Sequence, residues 1–184
     1  MENKNLKNFF PKFTAALFAA IGLLLLVTPR SWWPGFYDLP YMGIAALVCV
    51  GAIMLFWKVP TLQTMLAAIL LLNGLGDLGL YELYKIGFEY DKLVHFLSPA
   101  IGVAMGSKFL MARYGLSIKK SLAITFTVAA IVSVGWEVFE LIADGTFGTH
   151  LSGVYGSYVS EDTRHDLFSD VFGMFAGSLM FIFF

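Results

Sequence analysis

Long apolar runs separated by short polar breaks set the pattern of this chain. The runs cover 13–28, 41–57, 61–84, 93–112, 121–143 and 166–184. Spans of roughly 17–24 residues suit a helix crossing a hydrocarbon core of about 30 Å. The pattern predicts an all-α, polytopic integral membrane helical bundle of about six transmembrane helices. Residues 1–12 form a polar N-terminal segment, and 13–184 read as one six-helix transmembrane domain. The first run follows a basic start, as a signal peptide would. No small-residue cleavage site comes after it; Pro29-Arg30-Ser31-Trp32-Trp33-Pro34 does, which predicts a retained span with an interfacial Trp pair. A long loop rich in Gly and Tyr, 144–165, separates the last two runs.

The polar residues inside these runs are not scattered. Asp91, His95, Ser98, Gly102 and Gly106 fall on one helical stripe, as do Ser133, Glu137, Glu140 and Asp144. Asp162, Asp166 and Asp170 are four residues apart, and Gly173 and Gly177 continue that stripe. Asn73 and Asp77, also four apart, interrupt the third run. A carboxylate inside an apolar span costs about 3 kcal/mol even on mild insertion scales, so polar stripes turn toward the bundle interior. The four stripes are therefore expected to converge. Pro99 removes the amide that would bond the carbonyl of His95, which leaves that carbonyl free for another partner.

Composition agrees with the pattern. Hydrophobic residues make up 58% and charged residues 14%, where soluble domains carry about 25% charged. Mean hydropathy is +0.75. The net charge of -1 gives no reason to expect nucleic acid. The single cysteine, Cys49, excludes an intrachain disulfide. No nucleophile motif of Ser or Cys stands out, which argues against covalent acyl chemistry, and no Gly-rich phosphate loop is present, which argues against ATP-driven transport.

Charge in the breaks sets an expected orientation. With the N-terminus inside, Lys4, Lys7, Lys12, Lys58, Lys108, Arg113, Lys119 and Lys120 lie on the inner side; Arg30, Lys85, Lys92 and Arg164 lie on the outer side. Basic residues favour the cytoplasmic side, so both termini are expected there. Under this threading Glu2 alone of the carboxylates lies inside.

The outer acids therefore outnumber their basic partners, and crowded buried carboxylates force some to protonate unless a cation joins them. A divalent metal resolves the excess, with Asp91, His95, Glu137, Asp166 and Asp170 as candidate ligands. One imidazole among carboxylates suits Mg²⁺, Mn²⁺, Ca²⁺ or Zn²⁺ without a sharp choice. Glu140, Asp162 and His165 are the candidate acid–base groups. Asn73, Asp77, Tyr155 and Tyr158 are candidate substrate contacts, the two tyrosines on a loop able to close over the site. A proton or cation pathway resolves the excess too. Lys92 counts here only as an outer basic residue.

At these residues the chain resembles the VanZ-like membrane proteins and, more closely, the YjdF-like group. The matching elements are Asp91-Lys92-x-x-His95-Phe96, Glu137-x-x-Glu140, and Asp162-Thr163-x-x-Asp166-x-x-x-Asp170-x-x-Gly173. The resemblance implies a bacterial polytopic membrane protein. For the VanZ-like group it also implies a link to glycopeptide-antibiotic tolerance, with no reaction attached. The leading expectation is metal-assisted hydrolysis or group transfer on a lipid or cell-envelope precursor at the outer face. The alternatives are a non-catalytic envelope or antibiotic-tolerance protein and a small cation or proton transporter.

Overall fold

The structure, a computed structural model, describes residues 9–29, 39–147 and 159–183. Every regular element among them is helical, as the apolar runs require. The helices are α1 (Phe9–Val27), α2 (Leu39–Leu55), α3 (Pro60–Asp77), a 3₁₀ helix (Leu80–Ile86), α4 (Tyr90–Tyr114), α5 (Ile118–Phe147) and α6 (Val159–Phe183). The chain is a multi-pass membrane protein of the helical-bundle class.

Among the described residues, four helical segments are long and apolar enough to cross a membrane: Phe9–Val27, Tyr90–Tyr114, Ile118–Thr146 and Glu161–Phe183. The third apolar run is a bent pair, α3 and the 3₁₀ helix meeting at 53°, and would make a fifth span. The bend falls at Gly79, whose φ of 124° is open to glycine and closed to side-chain-bearing residues. The second run gives α2, whose 17 residues reach about 25 Å at 1.5 Å per residue, the lower end of the spanning range. Of the six apolar runs, four give those long apolar segments among the described residues, one gives the bent pair and one gives the shorter apolar helix α2.

Two compact units divide the chain, Met1–Gly74 and Leu75–Phe184. In the first, Ala15, Phe18, Ala46, Ile53 and Ala67 form the core, with Phe10, Cys49, Val50 and Leu70 packed on it. Gly22 of α1 and Gly43 of α2 face each other; a Cβ on Gly22 would stand 2.9 Å from the Gly43 carbonyl oxygen. Small residues allow this backbone approach, and packing of that kind holds helices together in lipid.

In the second unit α4 packs against α6 and α5. A Cβ on Gly173 would run into the Phe96 carbonyl oxygen, and one on Gly177 into the Ala100 carbonyl oxygen. The two helices therefore meet backbone to backbone. The α4–α5 contact is made by Gly106 against Thr125 and by a 2.6 Å hydrogen bond between the Ser107 and Thr125 hydroxyls. Both α4 and α6 carry acids in their first turns, Asp91 on one, Glu161 and Asp162 on the other.

Helix ends differ from the sequence reading at two places that matter: α4 starts at Tyr90, ahead of the apolar run at 93, and the long loop is shorter than expected. Residues 144–147 and 159–165, expected in the long loop, are helical, as the ends of α5 and α6. Glu161 and Asp162 favour a helix start where they stand, because carboxylates are stabilised at the positive end of the helix dipole.

Candidate functional site

The site is built where α4 and α6 begin and α5 approaches its end. Tyr90 starts α4, so Asp91, Lys92 and His95 occupy its first two turns. Four-residue spacing on α6 turns Asp162, Asp166 and Asp170 to one face, and all three are buried. Glu137 and Glu140 on α5 are buried as well. The stripes of α4, α5 and α6 do meet. The cluster lies at the first turns of α4 and α6, where the positive ends of the helix dipoles favour negative charge.

One ammonium and one imidazole organise the carboxylates. The Lys92 ammonium donates to Asp162 Oδ1 and to Asp166 Oδ1, at 2.6 Å each, and lies 3.3 Å from Asp91 Oδ2. The His95 ring is buried beside it. Its Nδ1 lies 3.3 Å from Asp170 Oδ1 and 3.9 Å from Glu137 Oε1. Its Nε2 lies 3.8 Å from Asp91 Oδ1 and 3.9 Å from Asp166 Oδ1. Only the Nδ1–Asp170 distance is a hydrogen bond. That bond puts the proton of a neutral ring on Nδ1 and leaves a lone pair on Nε2.

Nε2 then faces two carboxylate oxygens at distances too long for a hydrogen bond. Two ligands at about 2.1 Å from one ion stand no more than about 4.2 Å apart. The 3.8 and 3.9 Å separations fit inside that limit. Asp91, His95 and Asp166 together offer ligand atoms all within 4.8 Å of one another. The donor set, one imidazole nitrogen and carboxylate oxygens, suits a hard or borderline divalent ion.

Glu137 adds a second feature. Its side chain is 3% exposed, and neither carboxylate oxygen has a hydrogen-bond partner among the described residues. Oδ2 of Asp170 is also buried and unpartnered. A buried polar atom without a partner costs about 1–3 kcal/mol, more when charged. Glu140 faces the same cluster, with Glu137, His95 and Asp91 as charged neighbours.

The remaining expected site residues are placed differently. His165 is exposed on α6, while Asp162 and Asp166 on either side of it turn inward. The Asn73 side chain donates 2.9 Å back to the Ile69 carbonyl on its own helix, within the first unit. Asp77 is exposed at the end of α3. Tyr155 and Tyr158 lie outside the described residues. Sequence reasoning missed Lys92, the centre of the ion-pair network. The signal was its place between Asp91 and His95: once the helix starts at Tyr90 rather than 93, residue 92 belongs to the bundle.

Residues 10–184 match the family described as "Predicted membrane protein (DUF2238)", and the chain belongs to that family. No curated protein and no solved structure matches it.

Proposed function

Taking the chain as a member of that membrane-protein family, we propose that it holds a divalent cation on Asp91, His95 and Asp166 and uses it in hydrolysis or group transfer on a lipid-borne envelope precursor. The observation that carries this reading is the separation of His95 Nε2 from Asp91 and Asp166, too long for hydrogen bonds and of the span two ligands of one ion need. When bound, such an ion polarises an oxygen of the substrate and makes water more acidic. Asp170 fixes the His95 tautomer by accepting from Nδ1, as carboxylates beside metal-binding histidines do. Glu137, buried with two free oxygens, is the group best suited to take a proton from an attacking water. Glu140 sits next to it as the onward acceptor. Lys92 balances part of the charge by holding Asp162.

The distribution of basic residues supports an orientation with this end of the bundle on the outer face of a bacterial inner membrane and both termini in the cytoplasm. A substrate anchored in lipid would reach the site along the membrane surface. A second reading, a non-catalytic role, draws on the Lys92 network: an ammonium held by Asp162 and Asp166 is an internal ion pair that needs no ligand.

Thermal melting of the detergent-purified protein separates the two. With Mg²⁺, Mn²⁺, Ca²⁺ or Zn²⁺, the expected result is a rise in Tm over chelator for at least one ion, lost in His95→Gln and in Asp166→Asn. Identical melting with every ion and with chelator would leave only the non-catalytic reading.

A further inference from the structure

We infer that Lys92 is a built-in counter-cation that makes the acidic site select divalent over monovalent ions. The inference rests on the proposed cation site and deepens it. Lys92 Nζ lies 2.6 Å from Asp166 Oδ1, the same oxygen that faces His95 Nε2. One of the three ligand atoms is therefore already paired with a positive charge supplied by the chain. The side chain is 18% exposed, so water screens the pair little. The ammonium also has a second partner at the same distance, Asp162 Oδ1. When an ion takes Asp166, the ammonium can stay with Asp162 and needs no new site.

A second observation ties the cluster to a ligand. Glu137 and Oδ2 of Asp170 are buried and unpartnered while Lys92 is in place, so the ammonium alone leaves carboxylate oxygens unmet. The cluster carries more negative charge than Lys92 can neutralise. Asp91, Glu137, Glu140, Asp162, Asp166 and Asp170 all lie in it, with His95 as the other group able to carry positive charge.

Competition then sorts ions by charge. A tethered group acts at high effective concentration, about millimolar for short flexible tethers. A free Na⁺ or K⁺ ion offers Asp166 one charge, the same as the ammonium, and must also give up its hydration shell. A divalent ion brings two charges, and its gain from the unmatched carboxylates is larger. Lys92 thus closes the site to the abundant monovalent ions and leaves it open to the rarer divalent ones. The price is a weaker grip on the divalent ion than the bare carboxylates would have.

This gives Lys92 a signature opposite to that of a ligand. The test is thermal melting of wild type, Lys92→Met and Lys92→Arg in detergent. Two series are run: NaCl exchanged for N-methyl-D-glucamine chloride at fixed ionic strength, and Mg²⁺ or Mn²⁺ titrated in each background. Wild type and Lys92→Arg are expected to ignore the exchange of Na⁺ for the large organic cation. Lys92→Met is expected to gain a Na⁺-dependent rise in Tm. Its half-saturating divalent concentration is expected to fall on the order of tenfold, the scale on which neighbours of a metal site act.

A Lys92→Met protein that ignores Na⁺ and binds divalent ions no more tightly than wild type overturns the inference. If wild type ignores every divalent ion, the proposed cation function falls by itself. The Na⁺ response of Lys92→Met then still decides the counter-cation role, upholding it if present and overturning it if absent. Should Lys92→Met not fold, Lys92→Gln replaces it. Neutral variants that accumulate only with added divalent ion uphold the role. Neutral variants that fail with every ion while Lys92→Arg folds overturn it.

Discussion

Between them, the two ring nitrogens of His95 divide the site into a hydrogen-bonded side and an open side. Asp170 accepts a hydrogen bond from Nδ1, and Nε2 looks toward Asp91 and Asp166. Glu137 is buried with Oε1 3.9 Å from His95 Nδ1 and neither oxygen hydrogen-bonded among the described residues. In chelator a neutral isostere there removes an unmatched buried charge, which is neutral or stabilising when shape is kept. Glu137→Gln is therefore expected to raise unfolding stability by about 1–2 kcal/mol without divalent ion. With saturating ion the advantage shrinks or reverses, because the carboxylate then has a cation nearby. Melting with and without chelator checks the change of sign; a Glu137→Gln protein less stable than wild type in chelator would show that the carboxylate is satisfied. At this scale the sequence was informative about acids and uninformative about Lys92. Four-residue spacing alone marked Asp91/His95 and Asp162/Asp166/Asp170 as inward stripes. Lys92 carried no such mark, because a lysine near a span end is ordinarily a solvated, orienting charge, and only the helix start at Tyr90 brings it inside.

Helix α6 holds its acids in place through the glycines below them. Gly173 and Gly177 press on the backbone of α4 at Phe96 and Ala100, and Gly173 also meets Pro99. A Cβ at Gly177 would lie 2.8 Å from the Ala100 Cα, and backbone atoms cannot rotate away. Gly177→Ala must therefore push α6 off α4, at the cost of about 1–3 kcal/mol that overpacking brings. The push also separates Asp166 and Asp170 from His95. Gly102, on α4, is the built-in control: a Cβ there meets nothing within 4 Å. Gly177→Ala is expected to lower Tm and weaken the cation response, while Gly102→Ala leaves both unchanged. Equal behaviour of the two variants, measured by melting, would deny that this contact positions the site. The glycine stripe was visible in the sequence, and its direction followed from the aspartates above it. Less visible was the helical turn before Asp166, where a Gly- and Tyr-rich stretch masked the start signal of Glu161 and Asp162.

Across the whole molecule, membrane class follows from hydropathy alone, since six apolar runs leave no room for a soluble core. The number of full spans does not, because a bend can divide a run: Gly79 breaks the third one. The division between Gly74 and Leu75 also had no sequence mark, as it falls inside one helix. It leaves Asn73 and Asp77 in different units, although their spacing put them on one stripe. What the second unit assembles is a buried acidic site with one fixed ammonium and one oriented imidazole. We propose that a divalent ion belongs between Asp91, His95 and Asp166. Elemental analysis of the protein, purified from divalent-supplemented medium without chelator, tests this most directly beside the Asp166→Asn variant. The expected result is about one divalent ion per chain in wild type and a small fraction of that in the variant. Wild-type protein free of metal, or equal metal in the two proteins, would contradict it.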